Sequence, residues 1–352
     1  VESDVINAVI NTEGVLSLVE LQFKNYSGQV GLNKFSDYDF DLESNKHKGL
    51  IVGPEGAIFE MKYPDSVILG TAQFGSNYGI NNSTGVLGKK KIDKIIKTAY
   101  KNNIRILDTA IEYRESTKIL SKLDISKFKI VSKLPFFKDT SKYDLYYRKV
   151  IETYFDKLKT KKIYCFLVHN PEKFSGRQLK ELFKILQIYK KIGAIEKVGL
   201  SIYSPKTLNT SIKYFYPDVV QGPINFFDRR IIKSGWLKKL SNMRIQFHAR
   251  SVFLQGLFHL NKKKRNIFFS KWKKNFEYFD NWINKTNSSV NETTFSMINK
   301  YKKDINHLVI GVDNINHLND LITCKKNKKI IIPNKLISTD EMLINPFNWK
   351  LK

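Results

Sequence analysis

From Ser66 onward, short apolar runs alternate with longer stretches whose apolar residues recur at helical spacing. Eight runs can be followed, over residues 67–71, 104–108, 128–133, 163–169, 195–201, 219–221, 243–249 and 308–311. They are brief, rich in Ile, Leu, Val and Phe, and lack the in-out polar alternation of a half-exposed sheet, which is the pattern of parallel strands covered on both faces. The stretches between them predict helices over 89–102, 116–122, 142–159, 176–192, 204–214, 291–302 and 314–323. In the first, Ile92, Ile95, Ile96 and Ala99 share one face, and Pro205 in the fifth suits a first helical turn beside a serine cap. Eight strand-helix repeats predict an α/β fold, a (β/α)8 TIM barrel over residues 63–352, with the tail through Pro346 and Trp349 expected to cover one mouth.

Residues 1–62 stand outside this alternation and read as a small β appendage. Strands are expected at 15–23, 29–32, 49–52 and 57–61, separated by turn residues at 25–28 and 53–56. The chain opens on Val1 rather than Met, as expected of a fragment or a processed product.

The formal charge of +27 raises the question of a nucleic-acid partner, which would need clustered cations. The lysine runs at 89–91, 157–162, 262–265, 271–274 and 325–329 fall on separate surface elements instead, as a general lysine bias would place them, so no nucleic-acid partner is expected. Cys165 and Cys324 have no paired spacing, and the six histidines form no HExxH arrangement, so no metal is expected. With no apolar run of membrane-spanning length and no secretory pattern at the start, the expectation is a soluble, cytoplasmic protein without a membrane partner.

Chemistry in parallel barrels collects at the carboxyl ends of the strands. Asp108, Lys133 and His169 end three successive runs, and Tyr113 lies five residues past the aspartate. Each has an ordinary use by itself, as a turn cap, a solvated strand end, a core histidine or a loop aromatic. In order and at consecutive strand ends they form a constellation.

The segments LDTAIEY (107–113), VSKLP (131–135) and LVHNP (167–171) resemble the aldo-keto reductase family, and the likeness runs through most of 66–349. The resemblance implies reduction of an aldehyde or ketone by NAD(P)H. Tyr113 would be the general acid, and Lys133 the cation that lowers its pKa. Asp108 would be the counterion of that lysine, and His169 a hydrogen-bond donor to the substrate carbonyl. The later segments VGLSIYSP (198–205), DVVQGPINFFDRR (218–230), ARSVFLQGLF (249–258) and VIGVDNINHL (309–318) are similar to the family's cofactor-binding strand ends. They imply Ser201 and Gln221 on the nicotinamide carboxamide, Arg250 and Ser251 beside the ring, Gly70 and Thr71 on the floor, and Gly311 and Asn314 at the last strand end.

Five positions depart from the family's pattern. Ile202 replaces an asparagine, Arg250 an aromatic that usually stacks on the nicotinamide, Arg114 a glycine that often follows the tyrosine, and Val312 with Asp313 a lysine and serine that often grip the 2′-phosphate of NADPH. NADP is expected, with NAD as the alternative. No GxGxxG follows a strand, so a Rossmann domain is not indicated.

GTAQFGSNYGINNSTG (70–85) and INPFNW (344–349) resemble a bacterial branch associated with surface-polysaccharide and nucleotide-sugar pathways. Phe74, Tyr78, Asn170, Asn225 and Phe226 would line a pocket suited to a sugar carbonyl. IVGPEGAIFEM (51–61) resembles the end of the sheet domain in sugar oxidoreductases of the Gfo/Idh/MocA type, as a remnant of an upstream module would. An inactive nucleotide-binding barrel serving as a regulatory or scaffold subunit stays open as the alternative, and the sequence leaves the oligomeric state open.

Overall fold

In the computed structural model, eight parallel strands pair side by side and close into a barrel. The structure describes residues 67–76, 78–80, 85–324 and 330–351, together with four two-residue strands earlier in the chain. Two units are distinguished, Val1–Tyr63 and Pro64–Lys352. In the first, Phe23–Lys24 pairs antiparallel with Ile58–Phe59, and Lys46–His47 with Leu50–Ile51. The remaining predicted strand positions there, including all of 29–32, lie outside the described residues, as do the turns at 25–28 and 53–56, the lysine run 325–329, and residues 77 and 81–84.

The barrel strands are β1 (Val67–Gly70), β2 (Ile106–Asp108), β3 (Lys129–Leu134), β4 (Ile163–His169), β5 (Ile195–Ser201), β6 (Val219–Pro223), β7 (Gln246–Arg250) and β8 (His307–Gly311). Each pairs with its neighbour in sequence, and β8 returns to β1 through Leu308 opposite Val67 and Gly311 opposite Gly70. The helices are α1 (Lys89–Lys101), α2 (Arg114–Leu120), α3 (Tyr143–Leu158), α4 (Gly176–Lys191), α5 (Lys206–Ser211), α6 (Arg230–Lys233), α7 (Trp236–Asn242), α8 (Lys273–Lys285), α9 (Val290–Asn299), α10 (Ile315–Ile322) and α11 (Glu341–Ile344). Reciprocal caps start α4, where Ser175 and Gln178 satisfy each other's backbone N–H, and α9, where Ser289 and Glu292 do the same. No described helix is long and apolar enough to cross a membrane.

The two-residue period of a strand decides which side chains face the barrel axis. A small cluster of Ile68, Ile106, Val131, Cys165, Leu167 and Val219, drawn from successive strands, fills the interior, while Leu69, Leu107, Ile130 and Phe166 pack outward under the helices. Continuing the inward parity by one step brings Asp108, Lys133, His169 and Gln221 to the open end. Gly199 and Ser201 share this parity on β5.

Gly199 is glycine for a steric reason. A Cβ there would meet the Val219 carbonyl oxygen at 2.1 Å and Leu167 Cδ2 at 2.6 Å. Backbone cannot yield as a flexible side chain can, so Gly199→Ala is expected to cost about 3 kcal/mol of stability. Chemical denaturation measures it, and an unchanged midpoint would contradict this packing.

Differences from the sequence expectations have local causes. The seventh strand begins at Gln246 rather than at residue 243, because Met243 closes α7 and Arg244 sits at a φ of 57°. The helices α7 and α8 hide in lysine-rich sequence; Trp236, Leu237 and Leu240 bury one face of the former, Phe276 and Phe279 that of the latter. Pro205 stands one step earlier than expected, as the residue preceding α5. The tail packs across the loop after β6, with Ser338 N–H donating to the Phe227 carbonyl (2.9 Å) and Trp349 against Phe269, and none of it lines the cavity described next.

Candidate active site

A cavity of about 370 Å³ opens at the carboxyl ends of the strands. Its lining includes Asp108, Tyr113, Lys133 and His169, which four different segments deliver. Asp108 and Lys133 arrive on the inward faces of β2 and β3. Tyr113 returns over the mouth through a tight turn closed by its N–H to the Ala110 carbonyl (2.9 Å), and α2 starts at the next residue.

Lys133 and Asp108 are 3% and 5% exposed, and Lys133 Nζ donates to Asp108 Oδ1 at 2.5 Å and to the Thr109 carbonyl at 3.0 Å. Gln221 Nε2 donates to the other carboxylate oxygen at 2.8 Å, and Ser201 Oγ to Gln221 Oε1 at 3.4 Å. A buried charge pair needs such satisfaction of its remaining lone pairs to be tolerated. Burial nevertheless holds the lysine below its ordinary pKa, with Asp108 opposing the shift.

The phenol of Tyr113 behaves contrary to expectation. Desolvation pushes its pKa well above the usual value near 10, Tyr78 and Asp108 push the same way, and Arg250 opposes them. Lys133 lies over the ring, 5.7 Å from its centroid, with its charge largely offset by the carboxylate beside it. The expected acidification by Lys133 is therefore corrected: at neutral pH the phenol is held protonated.

His169 carries a partner that sequence reasoning overlooked. Its Nδ1 lies 2.8 Å from Glu112 Oε2. The glutamate sits inside the LDTAIEY segment, but its spacing from His169 gives no sign of the contact. Desolvation lowers the His169 pKa, Glu112 opposes, and the bond from His169 lowers that of Glu112.

Gly70, Thr71, Ser201, Gln221, Arg250, Ser251, Gly311 and Tyr78 also line the cavity. Thr71 is engaged structurally as well, its hydroxyl donating to the Asp108 carbonyl (3.0 Å) and accepting from Ser116 on α2 (2.9 Å). Arg250 stacks over Tyr203, 4.3 Å from the ring centroid, and donates to the Ile202 carbonyl at 3.0 Å. Tyr203 was not singled out in the sequence. Gln255, at a φ of 54°, donates to Tyr78 at 3.1 Å and bounds the mouth on the β7 side.

Five proposed site residues lie off the cavity lining. Phe74 is fully buried in the hydrophobic core. Asn225 is fully buried too, its Oδ1 accepting from the N–H groups of Phe227 and Asp228 and its Nδ2 donating to the Ser251 carbonyl, so it shapes the turn after β6 instead of a substrate wall. Phe226, suggested as a pocket aromatic, is likewise core. Asn314 caps α10, accepting from His317 N–H at 2.9 Å. Asn170, at a φ of 55°, is half-buried, with its Oδ1 buried and without a hydrogen-bond partner among the described residues. Arg114 is exposed and borders a separate groove, not the mouth. Among the described residues no group of His, Cys, Asp or Glu is arranged to hold a metal.

Residues 66–322 match the aldo/keto reductase family. Among solved structures, the chain is similar to a glycerol dehydrogenase from Gluconobacter oxydans, at 18% identity over 75% of this chain and 88% of that one, with a TM-score of 0.58. It is also similar to an aldo-keto reductase from Bacillus halodurans, at 13% identity over 77% and 95%, with a TM-score of 0.59. At these identities the likeness is one of fold. No curated protein matches the chain.

Proposed function

Since the chain belongs to the aldo/keto reductase family, and is thereby an oxidoreductase acting on a carbonyl group, we propose that Tyr113 donates the proton to the carbonyl oxygen as a nicotinamide cofactor supplies the hydride. The observation that carries this reading is the convergence of Tyr113, Lys133, Asp108 and His169 on one cavity at the strand ends. The phenol is protonated at neutral pH, which is the form a donor needs. The buried Lys133–Asp108 pair places a fixed dipole beneath it, able to stabilise charge as it develops on the oxygen.

The residues present fit a nicotinamide. Ser201 and Gln221 offer polar groups on the cavity lining that can pair with an amide. On the wall after β8, Asp313 and Asp320 stand with His259, His317 and Asn291. Apart from Lys133 on β3 and Arg250 on β7, no lysine or arginine lines the cavity among the described residues. A carboxylate accepts hydrogen bonds from ribose hydroxyls and repels a phosphate, which supports NAD, the alternative to the NADP expected from the resemblance. Calorimetric titration should give NADH about tenfold tighter binding than NADPH; NADPH binding more tightly would reject the assignment. Oxidation of the reduced cofactor on adding an aldehyde tests the reaction itself, and a cofactor-saturated protein that oxidises none with any carbonyl compound would refute it.

A further inference from the structure

Arg250 ends β7 on the inward parity that Gln221 follows on the neighbouring strand, with Gln221 opposite His248 and Pro223 opposite Arg250, and both side chains line the cavity with Tyr113. A guanidinium stays charged at any working pH. This one is fixed in place: Nη1 donates to Ser251 Oγ at 3.1 Å, Nη2 donates to the Ile202 carbonyl at 3.0 Å, and the group lies over the Tyr203 ring. None of these partners is an anion, and Arg250 makes no ion pair among the described residues. The Glu172 carboxyl, which burial raises, feels Arg250 across a gap too wide for one. Lys133, the other lysine or arginine of the lining among the described residues, is matched by Asp108 at 2.5 Å. The uncompensated positive charge at the strand ends is therefore that of Arg250, and its field reaches the reacting end. Desolvation raises Tyr78 and Tyr113 and lowers His169, and Arg250 acts on all three, opposing the first two shifts and adding to the third.

Reduction of a carbonyl takes a hydride, with its electron pair, from the nicotinamide ring and leaves a formal positive charge on that ring; the reduced ring is neutral. For the hydride to reach a carbonyl whose oxygen is protonated by Tyr113, the ring must stand in this cavity, within reach of Arg250. We propose that Arg250 is a specificity-determining residue that sets which redox form of the cofactor the cavity prefers, because its uncompensated charge repels the oxidised ring and not the reduced one. The inference rests on the nicotinamide reading above. Phosphates, riboses and adenine are common to both forms, so their contacts cancel in the ratio of the two affinities. Two unit charges sharing a partly desolvated cavity repel strongly enough to make that ratio about tenfold or more. By the closed thermodynamic cycle, bound NAD+ is a stronger hydride acceptor than free NAD+ by the same factor. After a reduction the oxidised form leaves readily, and the chain draws NADH out of a mixed pool.

Titrating the full chain separately with NADH and with NAD+ in a calorimeter measures the ratio without any turnover. The wild-type protein should bind NADH about tenfold or more tightly than NAD+. Arg250→Gln should bring the two constants to within about threefold, whereas Arg250→Lys, which keeps a charge, should retain most of the difference. A purely structural role for Arg250 would weaken both forms together and leave their ratio alone. A wild-type ratio near unity overturns the proposal, even where a variant fails to fold. An unchanged ratio in a folded Arg250→Gln protein overturns it as well. Equal weakening of both forms in that variant does the same, and assigns Arg250 to a part of the cofactor that they share, such as its phosphates. Binding of both forms without a preference leaves the nicotinamide reading standing; binding of neither overturns that reading, and the inference falls with it.

Discussion

Tyr113→Phe should lower kcat for carbonyl reduction by roughly 10²- to 10⁴-fold while cofactor affinity stays within about twofold. Neighbouring groups are poorly placed to replace the phenol. Lys133 is tied to Asp108 and to the Thr109 carbonyl, and His169 Nδ1 is engaged with Glu112. The direction of the phenol's shift adds a pH signature. A group whose pKa lies well above 10 stays protonated through neutral and mildly alkaline solution, so reduction should show no falling limb from Tyr113 there. The same shift makes the phenol a poor base, and oxidation of an alcohol should therefore accelerate as pH rises. A loss of reductase activity between neutral pH and about pH 9 that disappears in Tyr113→Phe would contradict the protonated resting phenol.

Lys133→Met should cost about 3–5 kcal/mol of stability, because it leaves the Asp108 carboxylate buried with only the Gln221 amide on its side-chain oxygens. Removing the carboxylate as well should recover part of that loss. In Lys133→Met with Asp108→Leu, the uncompensated charge is gone, and what remains is the unsatisfied Gln221 amide, at about 1–3 kcal/mol. Urea denaturation of the two single variants and the double variant measures the coupling. A Lys133→Met protein within about 1 kcal/mol of wild type would mean that water or a shifted side chain already compensates the aspartate.

Periodicity made the barrel legible. Parallel strands buried on both faces have a sequence signature that few other folds share, and residues 163–169 and 195–201 coincide with β4 and β5. Where lysine dilutes the apolar stripe, as in α7 and α8, the signature fades although the buried face is intact. Strand parity likewise carried Asp108, Lys133 and His169 to one cavity, since a side chain's direction in a strand is a local property. Phe74, Asn225 and Asn314 were misread because residues near a strand end can serve the core, a turn or a helix cap, and only packing in three dimensions separates these uses. The Glu112–His169 contact joins residues 57 positions apart, one in the loop after β2 and the other at the end of β4, beyond any local pattern. The sign of the Tyr113 shift depended on opposed contributions, desolvation and neighbouring Tyr78 and Asp108 against the Arg250 cation, and residue identity does not give their balance.

Proton donation by Tyr113 within the hydride-transfer step can be measured in a single turnover, by mixing the protein–cofactor complex with an aldehyde in ordinary and in heavy water. The wild-type protein should oxidise its cofactor more slowly in heavy water, and Tyr113→Phe should lose both the fast phase and its solvent dependence. A Tyr113→Phe protein that oxidises cofactor at the wild-type rate, with the same solvent isotope effect, would show that the proton comes from elsewhere.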